Sequence, residues 1–518
     1  MSERKVGSVT YKEVGDDYFG QRGLKRHAGF WSLWALGVAA VISGDFFGWN
    51  FGLGAGGFGG LLVATIFITL MYYGLCYSIA EMSPALPHTG GAYSFARSSM
   101  GPWGGFITGL AENMEYVITP AVVVVSIGAY MQAIMTTLFD LNPEAQPFWN
   151  TPPFWWAVFY LVFVGLNVIG IKTTMRFTVV ICFLALGILA AFYVLAVSKF
   201  SVNNLFDIPD GGGDTLAEGG GPFLPFGLGG VFKAIPFAIW FYLAIEELPL
   251  AAEESHDPKR DIPKATIWGM TTLVVTGVLI LLLNTGVSGA NETGATLEPL
   301  FLGFTTIFPD SDLGAWLSLI AVIGLVASFF TIIYAYGRNI YSLSRAGYFP
   351  KWMSVTSGTR KTPHVALILG AVVGYILAYG IYKYGYDEAG ATTALGGALL
   401  TMAVFGAVIS YAMQSLSFIV LRKKMPNIER PYRSPLGIPG AAVAGILAVI
   451  SLVSLFFFRD YRYGIIGVTI WFLLGLLYFA VAGRNRLVLS PEEEFALTQG
   501  EKGHPERGEY GEEATQSS

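Results

Sequence analysis

Charge is what this sequence has least of. Only 13% of its 518 residues are Asp, Glu, Lys or Arg, about half the share of an average soluble domain, and no basic surface for nucleic acid is in view. Cysteine is nearly absent too: Cys76 and Cys182 both lie inside apolar runs, which argues against a disulfide framework or a metal cluster and reads as small packing residues. His88, His256 and His364 fall in expected loops, and His27 and His504 in terminal segments. No nucleophile–base pair or metal-ligand spacing accompanies them, so neither an enzyme nor a cofactor is expected. A cleavable leader is not expected either. The first 29 residues are polar and the first apolar block is too long for a signal sequence, which leaves insertion to the spans themselves.

What the chain has instead is apolar length: 53% of its residues are hydrophobic. At about 20 apolar residues per membrane crossing, helices are expected near 30–54, 59–82, 103–135, 153–171, 176–198, 227–252, 265–288, 315–343, 364–383, 391–421, 437–457 and 463–482. The third, eighth and tenth blocks are longer than a bilayer is thick, which implies tilt or extension beyond it. Lys and Arg test the count, because short cytoplasmic segments carry the excess. With the N-terminus inside, 26 of the 31 basic residues fall on the inner side, leaving Lys199, Lys233, Lys383, Arg459 and Arg462 outside. An odd number of helices would scramble that asymmetry, so twelve spans with both termini cytoplasmic are expected. The tail from Glu492, rich in Glu and Gly, reads as disordered.

Two blocks share an oddity. The first breaks its apolar pattern at Ser43-Gly44-Asp45 and runs on through Gly48, Gly52, Gly54, Gly56 and Gly57; the sixth runs from Pro236 through Trp240-Phe241-Tyr242-Leu243-Ala244-Ile245-Glu246-Glu247 to Pro249. Helix-weak interruptions five helices apart are the mark of an inverted repeat, whose broken helices offer backbone groups to a substrate at the membrane midplane. The expected fold is therefore an all-α polytopic membrane protein with a 5+5 inverted-repeat core. Residues 1–29 form a cytoplasmic segment, 30–421 the core of helices 1–10, 437–482 two peripheral helices, and 483–518 a cytoplasmic tail. Broken helices carrying bulky aromatics suit an occluding site better than a channel.

Three sequence blocks then resemble the amino acid–polyamine–organocation permease superfamily. They are Glu246, Glu253-Glu254 and His256-Asp257-Pro258-Lys259-Arg260-Asp261-Ile262-Pro263-Lys264-Ala265; Ser344-Arg345-Ala346-Gly347-Tyr348-Phe349-Pro350 with Thr362-Pro363-His364; and Pro87, Gly90-Gly91, Tyr93 and Ala96-Arg97. The run Val41 to Gly52 resembles the ethanolamine permease branch. The resemblance implies a permease importing a small organic amine, most simply ethanolamine, by alternating access in a bacterial cell membrane. An amino acid or polyamine permease of the same fold is the alternative.

Amino acid permeases usually carry Gly-Ser-Gly where this chain has Ser43-Gly44-Asp45. A carboxylate there would repel a substrate carboxylate and attract an ammonium. At 4 Å and an effective dielectric near 20 each effect is worth about 4 kcal/mol, roughly three decades of preference. Asp45 is thus the candidate amine ligand, unless it caps the broken helix or pairs with a cation. Gly44, Phe46 and Ala244 border the expected breaks, and Ser43, break backbone or Tyr242 could hold a hydroxyl. Trp240 stands where related permeases carry a lid over the substrate, with Phe241 beside it, and an ammonium over such rings gains about 0.5–2 kcal/mol. Glu246 matches the family's sixth-helix glutamate and reads as a gate or coupling residue. Glu247 could add negative field, and Glu112 and Glu115, three apart on one helix face, could carry a proton or touch the amine. Protons are the candidate coupling ion. The lysine that replaces bound sodium in some relatives is missing, with Ala185 in its place, so symport, antiport and uniport stay open.

Overall fold

Glycine and proline punctuate the chain where its apolar blocks end. The computed structural model describes residues 3–15, 17–309, 311–384, 394–456 and 462–502. A hairpin of β1 (Glu3–Val6) and β2 (Val9–Lys12) opens it. The helices follow in order: α1 (Phe30–Val41), a single turn α2 (Ser43–Phe46), α3 (Phe51–Ala85), α4 (Ala92–Leu138), α5 (Pro152–Ile169), α6 (Ile171–Ala196) and α7 (Gly227–Ile239). After a 3-10 segment, Ile245–Glu254, come α8 (Pro258–Ser288), α9 (Ala290–Ala295), α10 (Pro299–Ile307), α11 (Leu313–Arg345), α12 (His364–Tyr384), α13 (Ala394–Lys424), α14 (Gly437–Phe456), α15 (Arg462–Val481) and α16 (Pro491–Thr498). Pro152, Pro258 and Pro491 each open a helix in the first turn, where the missing N–H costs nothing.

Among the described residues, ten helices are long and apolar enough to cross a membrane, and two shorter apolar ones, Phe30–Phe46 and Gly227–Ile239, precede the two breaks. Each of the twelve expected blocks has a helical counterpart; residues 391–393 and 457 lie outside the described residues. Two of the expected boundaries fall at glycines inside longer helices. Gly57, at φ 70°, separates a short stretch at the start of α3 from its membrane-spanning remainder. Gly101, at φ 82°, does the same in α4, with Pro102 next. Leu161, Val194 and Leu473 are 79%, 76% and 62% exposed, an apolar surface that only lipid can cover. Inside, backbones touch through small residues, as membrane packing without a hydrophobic drive requires: a Cβ on Gly56 would lie 2.6 Å from the Gly230 carbonyl oxygen of α7, and one on Gly74 would lie 2.5 Å from that of Gly440 on α14. Cys76 and Cys182 are free and buried among the helices.

Both described ends of the chain meet on one side of the bundle, the terminal face. Lys12 N–H donates to the Leu487 carbonyl at 2.8 Å, and Tyr11 to Glu493 at 2.5 Å. The tail therefore departs from expectation: residues 491–498 form α16, and Glu492 and Glu493 are fully buried. Charge read as solvation along the sequence is absorbed by arginines that the fold brings from far away. Residues 503–518 lie outside the described residues.

Candidate functional site

The site is built where two helices fail. After α2 the backbone of Phe47 is extended (φ −164°, ψ 152°), Gly48 takes φ +97°, and α3 begins at Phe51. Gly48 is suited to that left-handed turn. Its N–H donates to Asn50 Oδ1 at 3.1 Å, while Asn50 Nδ2 donates to the carbonyls of Thr293 (2.8 Å) and Thr296 (2.9 Å) beside α9. The second break spans Trp240 to Ala244, where Ala244 sits at φ +83°, a conformation that costs a residue with a Cβ about 1 kcal/mol or more. The two breaks lie against each other. A Cβ on Gly44 would stand 2.0 Å from the Trp240 carbonyl oxygen, and one on Gly48 would stand 3.0 Å from the Trp240 ring.

A cavity of about 20 Å³ opens at this junction, lined by Phe47, Gly48, Phe51, Pro236, Phe237, Trp240 and, from α13, Thr401 and Val404. That volume admits about one water and no organic substrate, so the pocket is collapsed in this conformation. Trp240 lies against the break of the first helix, its ring beside Gly48 and edge-on to Phe47 at 6.5 Å. Gly44 serves as the contact surface between the breaks. Phe46 turns toward α11, where a Cβ on Gly324 would overlap its ring, and its carbonyl accepts from Tyr130 at 2.8 Å. Phe241 stacks on Trp49 at 5.7 Å, and the Tyr242 hydroxyl is engaged with Thr69 at 2.8 Å. Ser43 is buried.

The carboxylates divide into two groups. Asp45 is 1% exposed, and both its oxygens lack a hydrogen-bond partner. It makes no capping bond on α2 and no ion pair among the described residues, so neither alternative reading of this acid is met. It faces Thr276 and Gly277 of α8 and is not among the residues that line the cavity beside Trp240. The second group gathers below. The carboxyl of Glu246 faces that of Glu115; both Glu246 oxygens and Glu115 Oε2 are buried and unpartnered. Glu115 Oε1 accepts from Tyr411 at 3.4 Å, Tyr72 donates to Tyr411 at 2.9 Å, and Glu112 accepts from Tyr116 and Asn339 at 3.5 and 3.4 Å. Glu247 is buried without a hydrogen bond, with Arg338 its electrostatic neighbour. Two carboxylates face to face in low dielectric require a proton or a cation between them.

Sequence reasoning missed Tyr72, Tyr411, Thr69, Thr276, Asn50 and Thr401. Isolated hydroxyls inside apolar runs look like packing, and only Asn50, a lone amide amid the glycines of the first break, carried a local signal that could have found it. The three sequence blocks converge on the terminal face rather than on the breaks. Arg345 Nη1 and Nη2 bind Glu253 at 2.9 and 2.7 Å, and Arg338 Nη2 binds Glu254 at 2.8 Å, joining the 3-10 segment after the second break to α11.

The chain is similar to known proteins along most of its length. A model of the family "Amino acid permease" matches residues 18–484. The branched-chain amino acid permease BcaP of Bacillus subtilis (strain 168) is 25% identical over 505 residues, covering 93% of this chain and 99% of that one. The methylthioribose transporter of the same organism is 24% identical, covering 90% and 96%. The gamma-aminobutyric acid permease of Escherichia coli (strain K12) is 25% identical, covering 70% and 76%.

Proposed function

Because the chain belongs to the amino acid permease family, a family of transporters and not of enzymes, we propose that it imports a small organic amine without a carboxylate, ethanolamine first, by alternating access around its two helix breaks. That it is a multi-pass membrane permease for a small molecule follows from the family and the spans; the substrate is the step beyond. One observation carries it: Asp45, buried in the helical turn that leads into the first break, with no cation beside it among the described residues and the Thr276 hydroxyl as its polar neighbour. An uncompensated intramembrane carboxylate is costly and marks a substrate or ion path, and a carboxylate-bearing substrate would meet repulsion where an ammonium gains about 4 kcal/mol.

In this reading the breaks part to enlarge the collapsed pocket. Asp45 then takes the ammonium, with Glu115 as the competing acid, and Trp240 and Phe241 supply ring faces. Tyr242 is occupied by Thr69, which leaves Ser43 or break backbone near Gly44 and Ala244 for the hydroxyl. Glu246, with Glu112 and Glu247 around it, couples the gate to a proton. The paired breaks support a 5+5 repeat of helices 1–10, and the basic residues on the terminal face support a cytoplasmic location for it. A second reading, an amino acid substrate, is favoured by relatives named for branched-chain amino acids and gamma-aminobutyric acid.

Uptake of labelled ethanolamine by cells expressing matched amounts of wild type and Asp45→Asn tests the proposal. The expected loss is two to three decades in affinity, at about 1.4 kcal/mol per decade, with zwitterionic amino acids competing poorly. Affinity retained within a few fold, or better competition by an amino acid than by ethanolamine, sinks it.

A further inference from the structure

The terminal face holds a carboxylate receptor that the transport cycle does not explain. Glu493 on α16 is fully buried. Its oxygens accept from Arg97 Nε at 2.7 Å, Tyr11 at 2.5 Å, Tyr348 at 2.9 Å and Tyr93 at 3.0 Å. These donors come from β2, from the first part of α4 and from the connection after α11. One residue earlier, Glu492 meets Arg345 Nη2 at 2.5 Å, on the same guanidinium that holds Glu253 of the 3-10 segment. Two residues later, Phe495 is buried among Met82, Ala85, Phe95, Phe418 and Leu421, at the ends of α3 and α13 and on the first part of α4. The backbone is tied as well, Val488 N–H to the Ala346 carbonyl at 2.9 Å.

Anchoring an idle tail requires none of this. An ionised carboxylate is costly to bury unless donors surround it, and here four donors from three separate segments converge on one side chain. The same tail reaches the ion pair that joins the segment after the second break to α11. When that segment swings away from α11, Arg345 must leave either Glu253 or Glu492, and the elements stitched by Phe495 must stay in register for α16 to remain seated. We propose that α16 is a lock acting in cis: Glu492 and Glu493 hold the terminal face closed, and the face opens only when the tail leaves its cradle. The inference rests on the transporter family and not on the identity of the substrate.

The test uses the full-length chain carrying Cys76→Ala and Cys182→Ala. Ser255→Cys, at a buried position whose hydroxyl has no partner, reports opening through its labelling by a maleimide in vesicles with the terminal face outward. Glu492→Gln with Glu493→Gln is expected to raise labelling and initial uptake about fivefold or more, the scale of a modest coupling. Ala346→Cys with Val488→Cys, at residues whose backbones are hydrogen-bonded, is oxidised and the cross-linked fraction identified by mass; that fraction is expected to show lower labelling and lower uptake, with a reductant restoring the uptake. Labelling and uptake that ignore both the double glutamine variant and the cross-link overturn the lock. If the glutamine variant does not accumulate, the cross-link decides alone, and unchanged labelling on oxidation refutes it. If the wild type moves no ethanolamine, the substrate reading fails while the labelling still scores the lock.

Discussion

Adding one methyl group at residue 44 tests whether contact between the two breaks is essential. In Gly44→Ala the new carbon would stand 2.0 Å from the Trp240 carbonyl oxygen, 2.8 Å from its carbon and 3.3 Å from Phe241 Cα. Relaxed C···O contacts begin at about 3.3 Å, so the breaks must part by roughly 1.3 Å. The neighbour is backbone and cannot rotate away, and Trp240 and Phe241 on either side of it are packed against Phe47 and Trp49. Overpacking of this kind costs about 1–3 kcal/mol, which corresponds to roughly 5- to 150-fold in affinity if the strain falls on the substrate-competent arrangement. The measurement is uptake normalised to surface protein, paired with thermal melting in detergent. Gly187→Ala is the control: it lies on α6 with nothing within 4 Å of the added carbon, and is expected to be neutral or slightly stabilising because alanine favours helix. Wild-type uptake and melting in Gly44→Ala would refute the claim that close approach of the breaks is required.

Two further outcomes follow from the interior contacts. Glu254→Gln removes the carboxylate that holds Arg338 at 2.8 Å and also accepts from Tyr334. Leaving that guanidinium buried and unpaired is expected to cost about 3–5 kcal/mol, read as a large fall in melting temperature; an unchanged melt would show that the pair is dispensable. Tyr242→Phe loses the 2.8 Å bond to Thr69 and should cost about 1 kcal/mol of stability with little change in KM. A tenfold rise in KM without loss of stability would instead place the hydroxyl on the substrate.

The spans were legible because membrane crossing demands long apolar runs, and the second break because the Trp240–Ala244 stretch interrupts one. The first break was expected at Ser43-Gly44-Asp45 but falls at residues 47–50, because Ser43–Phe46 still close a helical turn and the left-handed turn needs Gly48. Glu112 and Glu115 were legible as a pair from helical spacing alone. Their convergence with Glu246 was not, since it depends on how α4 packs against a segment more than 120 residues away. The position of Asp45 was legible only as a place on the chain. That its carboxylate faces Thr276 on α8, and is absent from the lining of the cavity beside Trp240, depends on the rotation of a single helical turn. The tail was misread for the same kind of reason: Glu492 and Glu493 look solvated until Arg345 and Arg97 arrive. A local signal was nonetheless present, in Ser490 followed by Pro491 and three glutamates, the pattern of a helix start.

Asn50 joins the first break to α9 and the residue after it with one side chain, bonding Gly48 at one end and the Thr293 and Thr296 carbonyls at the other. An amide so placed is a short strut between the turn at Gly48 and the segment that follows α8. A change in that turn cannot keep all three bonds unless the α9 segment follows it, so two stretches more than 240 residues apart in the chain are geared together by a single side chain.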